Sequence, residues 1–244
     1  RYPSRGWNAY HVVYQDAQRW LKEGIHDALF PMMYFQGNNF YPFALDWKEN
    51  DGKRWIIPGL GIYFLSPREQ DWPLDEIVRQ IHFTRQIKLN GQAYFRNRFL
   101  LDNTKGVLDE LEENFYTYPA LIPPMTWSDS IPPSVPSHPS VQQIANGKLR
   151  MSWQASADNS NQSVVYHLYG SDTYPVDIKQ PQNLIATHLI ANEYEYTAKL
   201  PWLQKRYFAV TAADRFGNES APLTLNTVSD MDIPLLNKGN MLYL

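Results

Sequence analysis

Three apolar runs, separated by segments of other spacing, organise the first half of the chain. The first run spans residues 24–35 and carries one formal charge, at Asp27, which is typical of a strand buried on both faces. Similar runs follow at residues 55–65 and 91–101. Between them, the apolar residues of segment 74–89 recur at the spacing of a helix. This alternation predicts βα units with a parallel sheet, and we interpret the runs as inner strands of a β/α barrel.

The other segments of this half are predicted as two further helices and one long loop. Ser4 or Asn8 is expected to open a helix that ends near Gly24, and residues 104–115 have amphipathic spacing. Residues 36–52 are dense in aromatic, amide and carboxylate side chains. Loops of that length in compact domains are usually functional or disordered, and this one is too aromatic for disorder.

The pattern changes at a proline-rich junction, residues 128–139, beyond which apolar and polar positions alternate. The predicted strands are 148–153, 164–170, 193–196 and 206–212, with a tight-turn signal at Asn146–Gly147. They predict an immunoglobulin-like β-sandwich, for which ~100 residues are typical. The expected regions are a barrel part at 1–128, a sandwich at 129–228 and a tail of unclear role at 229–244.

Composition narrows the classes of function. The 244 residues have a formal net charge of −3 and a pI near 6.1, without a Lys/Arg cluster, so nucleic acid is not expected as a partner. The absence of cysteine excludes disulfides and thiolate metal sites. No apolar run reaches the ~18 residues that cross a bilayer, so no transmembrane segment is expected. The chain starts at Arg1 rather than at methionine, which indicates a processed or truncated product.

Residues of the second half resemble a bacterial fibronectin type III domain. The features that carry this resemblance are the proline-rich entry, Trp153 on an early strand, residues 166–169 on a middle strand, Leu203 four residues before Tyr207, and the closing run 207–220. The resemblance covers about residues 132–228. It implies that Trp153 and Tyr207 are buried in the core of the sandwich.

The first half resembles the glycosyl hydrolase-like proteins of bacteria. The residues that carry this resemblance are Trp20, Gly24, Ile25, Asp27, Pro31, Met32 and Tyr34, followed by 59–63, 76–81, Arg85 and Gly91. Residues 27–34 are also similar to the sixth strand of chitinase-type barrels, in which a Met-x-Tyr pair lines the sugar site. The family implies a catalytic (β/α)8 barrel followed by a sandwich, a carbohydrate substrate, no cofactor and an extracytoplasmic location.

The length of the first half argues for only part of a barrel. A complete TIM-type barrel needs about 250 residues and eight strands, whereas about 127 residues and three predicted strands precede the sandwich. We therefore expect the last three strands of a barrel. Glycosidases use two carboxylates, and barrels place catalytic groups at the C-terminal ends of strands. No glutamate at a predicted strand end here is assigned as a catalyst, so the catalytic pair is expected upstream of Arg1.

Candidate substrate-binding residues follow the predicted strands, because a barrel places its site at that face. Tyr34 and Gln36 follow the first strand and Tyr63 the second, and they are suited to stack on a sugar or hydrogen-bond to it. The alternative for the tyrosines is packing in the barrel core. Trp47 with Tyr41 is a candidate stacking platform for a pyranose ring, unless these aromatics only pin their own loop.

Arg96 and Asn97 end the third predicted strand, where a guanidinium or an amide can grip a hydroxyl or the carboxylate of an acidic sugar. The alternative for Arg96 is an ion pair with Asp102. The long loop carries a group of carboxylates, Asp46, Glu49 and Asp51. Neighbouring Lys and Arg residues favour solvated charges there over a raised catalytic pKa. We assign no catalytic residue, and the scattered histidines predict no metal site.

Three functions of different classes remain open. The chain is the C-terminal portion of a glycoside hydrolase, or a module that binds a glycan or a partner without cleavage, or a structural piece. Weak sugar binding without release of reducing ends would favour the second, and self-association without sugar binding would favour the third. A half-barrel leaves an apolar strand edge unpaired, so we expect either self-association through that edge or a rearrangement of the strands.

Overall fold

The computed structural model describes residues 8–145, 148–198 and 205–226. The chain divides into two compact units, Arg1–Thr117 and Tyr118–Leu244. Four predicted features lie outside the described residues, namely Ser4, the turn at Asn146–Gly147, Leu203 and the tail at 229–244.

The first unit alternates helices with short strands. Its helices are α1 (Ala9–Val12), α2 (Ala17–Lys22), α3 (Tyr41–Glu49), α4 (Leu74–Gln86), α5 (Asn97–Leu101) and α6 (Val107–Glu110). Its strands are β1 (Ala28–Leu29), β2 (Trp55–Ile56), β3 (Gly59–Leu60) and β4 (Ala93–Tyr94). Parallel pairing joins β1 to β2 and β3 to β4, as the alternation predicts. A parallel bridge from Met32 to Gly59 places the continuation of β1 beside β3.

The strands are shorter than the apolar runs and give way to helical turns. The run 55–65 is interrupted between β2 and β3 at Pro58, which has no N–H to donate to a neighbouring strand, and it continues as a 3-10 turn at Ile62–Leu65. The run 91–101 keeps only β4 as strand and ends in α5. A continuous apolar run does not distinguish a buried strand from a buried helix, and the sequence pattern therefore overestimates the strands.

Other segments of this unit also differ from the expectation. The predicted loop at 36–52 forms a 3-10 turn at Gly37–Asn39 followed by α3, which has Pro42 in its first turn, where the missing N–H is not needed. The single helix predicted before the first strand is divided into α1 and α2, because Tyr14 between them has a φ of 56°. The helix predicted at 104–115 is α6 flanked by a 3-10 turn and a π turn.

Helices cover one face of the parallel strands. The residues buried between strands and helices are Leu21, Met33, Phe40, Ala44, Ile56, Leu60, Ile62, Leu65, Trp72, Ile77, Ile81, Leu89, Val107, Leu111 and Phe115. Side chains alternate along β1 and its continuation, because Leu29 and Met33 pack into this core while Phe30 and Met32 are 58% and 64% exposed. In the part of the chain that is described, the opposite face of this strand is therefore apolar and uncovered.

Tyr34 lies directly against the backbone of β3 and the residue that follows it. A Cβ atom on Gly59 would come 3.0 Å from Tyr34 Cε1 and 3.3 Å from the carbonyl oxygen of Pro31. A Cβ atom on Gly61 would come 3.1 Å from Tyr34 Cβ, 3.2 Å from Phe64 Cδ2 and 3.3 Å from Tyr34 Cα. Glycine is needed at both positions for close packing.

The second unit contains two antiparallel sheets. Its strands are β5 (Ser137–Ala145), β6 (Lys148–Gln154), β7 (Val165–Ser171), β8 (Leu184–Leu189), β9 (Glu193–Thr197), β10 (Tyr207–Ala213) and β11 (Leu223–Thr224). The strand orders are β11-β10-β7-β8 and β5-β6-β9. The sequence pattern identifies β6, β7, β9 and β10 and misses β5, β8 and β11. All three missed strands lie at sheet edges, where burial imposes a weaker alternation and where a proline such as Pro139 in β5 is tolerated.

Alternate side chains of the two sheets meet in a common core. Trp153 on β6 is 4% exposed, and its ring packs edge-on against Tyr166 on β7 at a centroid distance of 5.3 Å. Tyr207 is also buried, but it lies with Tyr169 in a second apolar cluster. The burial expected for Trp153 and Tyr207 is confirmed, and the fibronectin type III assignment stays a prediction.

The segment that precedes β5 packs on this unit. Leu121 contacts the apolar cluster of Tyr169 and Tyr207. The N–H of Met125 donates to the carbonyl of Phe216 at 2.8 Å. Residues after Thr117 therefore fold with the sheets of the second unit.

The first prediction concerns the space at Gly61. We expect Gly61→Ala to lower the free energy of unfolding of the first unit by about 1–3 kcal/mol, because the new methyl group overpacks against the backbone of Tyr34. Chemical denaturation measures this difference. The control is Gly91→Ala, whose Cβ would meet nothing closer than 3.8 Å, so its stability is expected to stay within about 0.5 kcal/mol. Equal effects of the two substitutions would contradict the packing argument.

His167 on β7 is a buried histidine in the second unit, 4% exposed. The hydroxyl of Thr187 lies 2.9 Å from its Nδ1, and the backbone N–H of His188 donates to the same nitrogen at 3.4 Å. An Nδ1 that accepts a hydrogen bond belongs to the neutral ring. Burial lowers the pKa of His167; nearby Glu219 acts in the opposite direction, and His188 adds to the lowering.

The second prediction follows from this lowered pKa. The unfolded chain binds the proton at about pH 6.5, so the contribution of His167 to stability is complete above that pH and is lost as the pH falls to the lower folded pKa. Urea denaturation between about pH 8 and about pH 5.5 is expected to show a loss with a slope of at most about 1.4 kcal/mol per pH unit. The slope is expected to be smaller in His167→Gln and unchanged in the control His138→Gln, an exposed histidine of the same unit. Identical slopes in all the proteins would refute the assignment.

Candidate functional site

Three aromatic rings and one guanidinium come together where the parallel strands end. Tyr34 follows β1, Tyr63 follows β3, and Phe95 and Arg96 follow β4. The rings of Tyr34 and Phe95 stack at a centroid distance of 5.2 Å and an angle of 13°. Tyr63 packs edge-on against both rings, at 5.8 Å from Tyr34 and 5.6 Å from Phe95. We call Tyr34, Tyr63, Phe95 and Arg96 the aromatic cluster.

Strand pairing explains why these residues meet. The N–H of Phe95 donates to the carbonyl of Leu60 at 3.0 Å, and the N–H of Tyr63 donates to the carbonyl of Phe95 at 3.1 Å. Met33 is joined to Gly59 in the same manner, at 3.1 Å. The ends of the strands are therefore held side by side, and the residues that follow them share one edge of the sheet.

The tyrosine hydroxyls of the aromatic cluster keep their protons. Burial raises the pKa of Tyr34, and burial is also the main cause that raises the pKa of Tyr63, with a further contribution from the Glu69 carboxylate. In the part of the chain that is described, neither hydroxyl has a hydrogen-bond partner. Both phenols are therefore suited to donate a hydrogen bond to an oxygen of a bound molecule.

The guanidinium of Arg96 lies 5.4 Å from the centre of the Tyr63 ring and 5.5 Å from that of Phe95, in cation–π contact. The alternative pairing with Asp102 does not form, because Arg98 takes that carboxylate at 3.2 Å, one helical turn away. Among the described residues, Arg96 has no ion-pair partner. Its N–H groups are exposed and available to hydroxyl or carboxylate oxygens.

The other predicted substrate-binding residues lie outside the aromatic cluster or next to it in the chain. Gln36 is exposed and precedes the turn at Gly37–Asn39, where its carbonyl accepts the N–H of Asn39 at 3.1 Å. Asn97 is exposed and begins α5, directly after Arg96. Trp47 lies on α3 and packs against the core of the first unit. Trp47 and Tyr41 lie on a helix rather than on the predicted loop, and a pyranose platform formed by the two stays a prediction.

The carboxylates predicted on the long loop lie on α3 or directly after it. Asp51 pairs with Lys48 at 2.8 Å and accepts the N–H of Lys53 at 2.8 Å. Asp46 accepts the amide of Gln18 at 3.1 Å. Within the described residues, no group of three or more histidines and carboxylates is placed to hold a metal ion. None of the helices described is long and apolar enough to cross a membrane.

Sequence reasoning missed several residues that shape this site. Phe95 is 43% exposed and stacks on Tyr34, but an apolar residue in an apolar run gives no signal of function. Glu69 follows the 3-10 turn that carries Tyr63, and the pattern offered nothing to relate the two. Gln80 and Glu76, whose contacts are described below, had a usable signal in the sequence, since they are polar residues at buried positions of the helical pattern of α4.

No protein-family model matches the chain. The chain is 29% identical over 226 residues to glycosyl hydrolase YngK of Bacillus subtilis (strain 168). The aligned region covers 88% of this chain and 44% of YngK, so the chain spans less than half the length of this curated relative. The similarity supports a glycosyl hydrolase-like relationship for the chain.

Proposed function

We propose that the chain is the C-terminal part of a glycoside hydrolase, in which the aromatic cluster lines the binding site for a polysaccharide or oligosaccharide. In this proposal the first unit supplies the last three strands of a (β/α)8 barrel, and the second unit is a fibronectin type III sandwich. The catalytic carboxylates belong to other strands of the barrel, because glycosidases need two of them at strand ends. The relationship to a protein named glycosyl hydrolase supports the reaction class.

The uncovered face of β1 supports the barrel. Phe30 and Met32, on the continuation of β1, point away from the helices and are 58% and 64% exposed. Leu29 and Met33 pack on the helix side. Parallel strands in barrels are covered on both faces, with interior and exterior side chains alternating. Further barrel strands would bury Phe30 and Met32 as interior residues.

The single observation that carries the binding role is the arrangement of donors beside an exposed ring at the strand ends. Sugars offer apolar C–H faces for aromatic rings and hydroxyl oxygens for donors, which are the groups that Phe95, Tyr34 and Arg96 provide. Arg96 also accommodates a carboxylate on the sugar. Barrel enzymes bind substrate at this end of the strands.

The third prediction tests this binding role. We expect Arg96→Gln to weaken oligosaccharide binding about tenfold, because it removes a charged donor, and Tyr34→Phe to weaken it about threefold to tenfold, because it removes one hydroxyl and keeps the stacked ring. Isothermal titration calorimetry measures the affinity for three probes, namely oligomers of β-1,4-linked glucose, of N-acetylglucosamine and of galacturonic acid.

The matched control is Arg98→Gln, an exposed arginine two residues along the chain that pairs with Asp102. Its affinity is expected to equal that of the unaltered chain. Absence of binding to every probe, or equal losses in Arg96→Gln and Arg98→Gln, would refute the proposed site. Binding by the chain without release of reducing ends by the longer protein that contains it would favour the non-catalytic binding module.

A second candidate function, self-association through the first strand, is favoured by the exposed apolar face of β1. The fourth prediction is that light scattering of this chain shows a concentration-dependent increase in mass, which Met32→Lys reduces because a charge on this apolar face opposes its burial against a second copy. The control is Ile190→Lys, an 84% exposed residue of the second unit, which is expected to leave the mass unchanged. A monodisperse monomer at all concentrations would refute self-association.

A further inference from the structure

Two polar side chains are buried in the apolar face of α4. Gln80 is completely buried and Glu76 is 5% exposed, one turn apart. Their neighbours on this face are Ile77 and Ile81, each 1% exposed. Burying an amide and a carboxylate is unfavourable unless their hydrogen bonds are made, so both groups are expected to have partners within the fold.

Both groups bind the chain that connects β1 to α3. The Nε2 of Gln80 donates to the carbonyl of Phe35 at 2.9 Å and to Oε1 of Glu76 at 2.9 Å. The hydroxyl of Tyr41 donates to the same Oε1 at 3.2 Å. The other carboxylate oxygen of Glu76 is paired with Arg79 at 2.7 Å. Helix α4 therefore holds this connection at both of its ends, at the carbonyl of Phe35 and at the hydroxyl of Tyr41.

The orientation of the Gln80 amide is fixed by its partners. Both atoms that it contacts, the Phe35 carbonyl and the Glu76 carboxylate, are acceptors, so the NH₂ group must face them. Its Oε1 is then left buried without a partner among the described residues. Leaving a buried acceptor unmatched is costly, and the amide keeps this orientation because it makes two donor contacts.

The turn in the middle of this connection is exposed, whereas Phe40 near its far end is buried in the core of the first unit. Gln36, Asn38 and Asn39 are exposed, and Gly37 has a φ of 53° with no atom within 4 Å of where its Cβ would be. Its own hydrogen bonds are local, from the N–H of Asn39 to Gln36 and from the N–H of Phe40 to Gly37. The hydrogen bonds with Gln80 and Glu76 join the stretch from Phe35 to Tyr41 to α4. The ring of Tyr41 also packs edge-on against Phe83 of the same helix, at a centroid distance of 5.0 Å.

We propose that Gln80 and Glu76 are positioning residues that fix the Tyr34–Asn39 segment for ligand binding. Gln80 holds the carbonyl that directly follows Tyr34, and Glu76 holds the far end of the connection at Tyr41. The exposed amides of this segment then border the aromatic cluster as further polar groups for a glycan. The ligand class rests on the proposed function, whereas the positioning role does not.

The fifth prediction tests the positioning role separately from the ligand class. Amide hydrogen exchange by NMR is expected to be about tenfold faster at Phe35, Asn39 and Phe40 in Gln80→Met, because the loss of the hydrogen bonds from Gln80 frees the connection. The amides of Ile57 and Phe95, which are bonded to other strands, are expected to keep their rates. The control is Gln86→Met, the same change at an exposed position of α4.

A pair of variants at Glu76 tests the same contact without altering Gln80. Glu76→Gln keeps an acceptor oxygen for Tyr41 and Gln80, so the amides of the connection are expected to exchange as slowly as in the unaltered chain. Glu76→Leu removes that acceptor, so the same amides are expected to exchange faster. Unchanged exchange in Gln80→Met, or an equal increase at all five amides, would overturn the positioning role.

Calorimetry with the same three oligosaccharide probes provides the functional readout. If the unaltered chain binds a probe, Gln80→Met is expected to weaken that affinity and Gln86→Met to leave it unchanged. Equal affinities in both variants would overturn the link to ligand binding. If no probe binds to the unaltered chain, the proposed function fails, and the exchange rates still decide the positioning role.

Discussion

The contact between Tyr34 and the backbone of Gly59 and Gly61 is the constraint on which the candidate site depends. Any side chain at these positions would occupy the space that the tyrosine fills. With Tyr34 packed closely against these two glycines, its ring stacks on that of Phe95, which follows the next strand, β4. The aromatic cluster therefore depends on the two glycines as well as on its own four side chains.

The second constraint is the buried polar pair on α4. Gln80 and Glu76 lie among apolar residues on the buried face of this helix, and they reach the backbone of Phe35 and the hydroxyl of Tyr41. Burial and the carboxylate of Glu76 raise the pKa of Tyr41, so its hydroxyl remains a donor. These contacts tie the connection that follows Tyr34 to helix α4 of the first unit.

The two units differ in how completely they bury their sheets. In the second unit, β7 and β10 have apolar clusters on both faces. In the first unit, helices cover one face of the strands and leave Phe30 and Met32 exposed on the other. The barrel that we propose would remove this difference, and it accords with the short coverage of the relative, 44% of its length.

The sequence by itself determined the alternation of strands and helices in the first half, the parallel pairing that follows from it, and the central strands of the second half. Apolar periodicity records burial, and these elements are the ones whose burial is most regular. It also indicated Tyr34, Tyr63 and Arg96 as neighbours, because residues that follow parallel strands lie at one edge of the sheet. Of the edge strands it found β9, and it did not find β5, β8 and β11, whose burial is less regular.

Only the tertiary structure decided which side chains meet across elements. It put Trp47 on a helix against the core, added Phe95 to the site and joined Gln80 to Phe35. These contacts link residues whose separation in the chain bears no fixed relation to their distance in space. Local periodicity carries no information about such pairs, because they are set by how the helices and strands pack together.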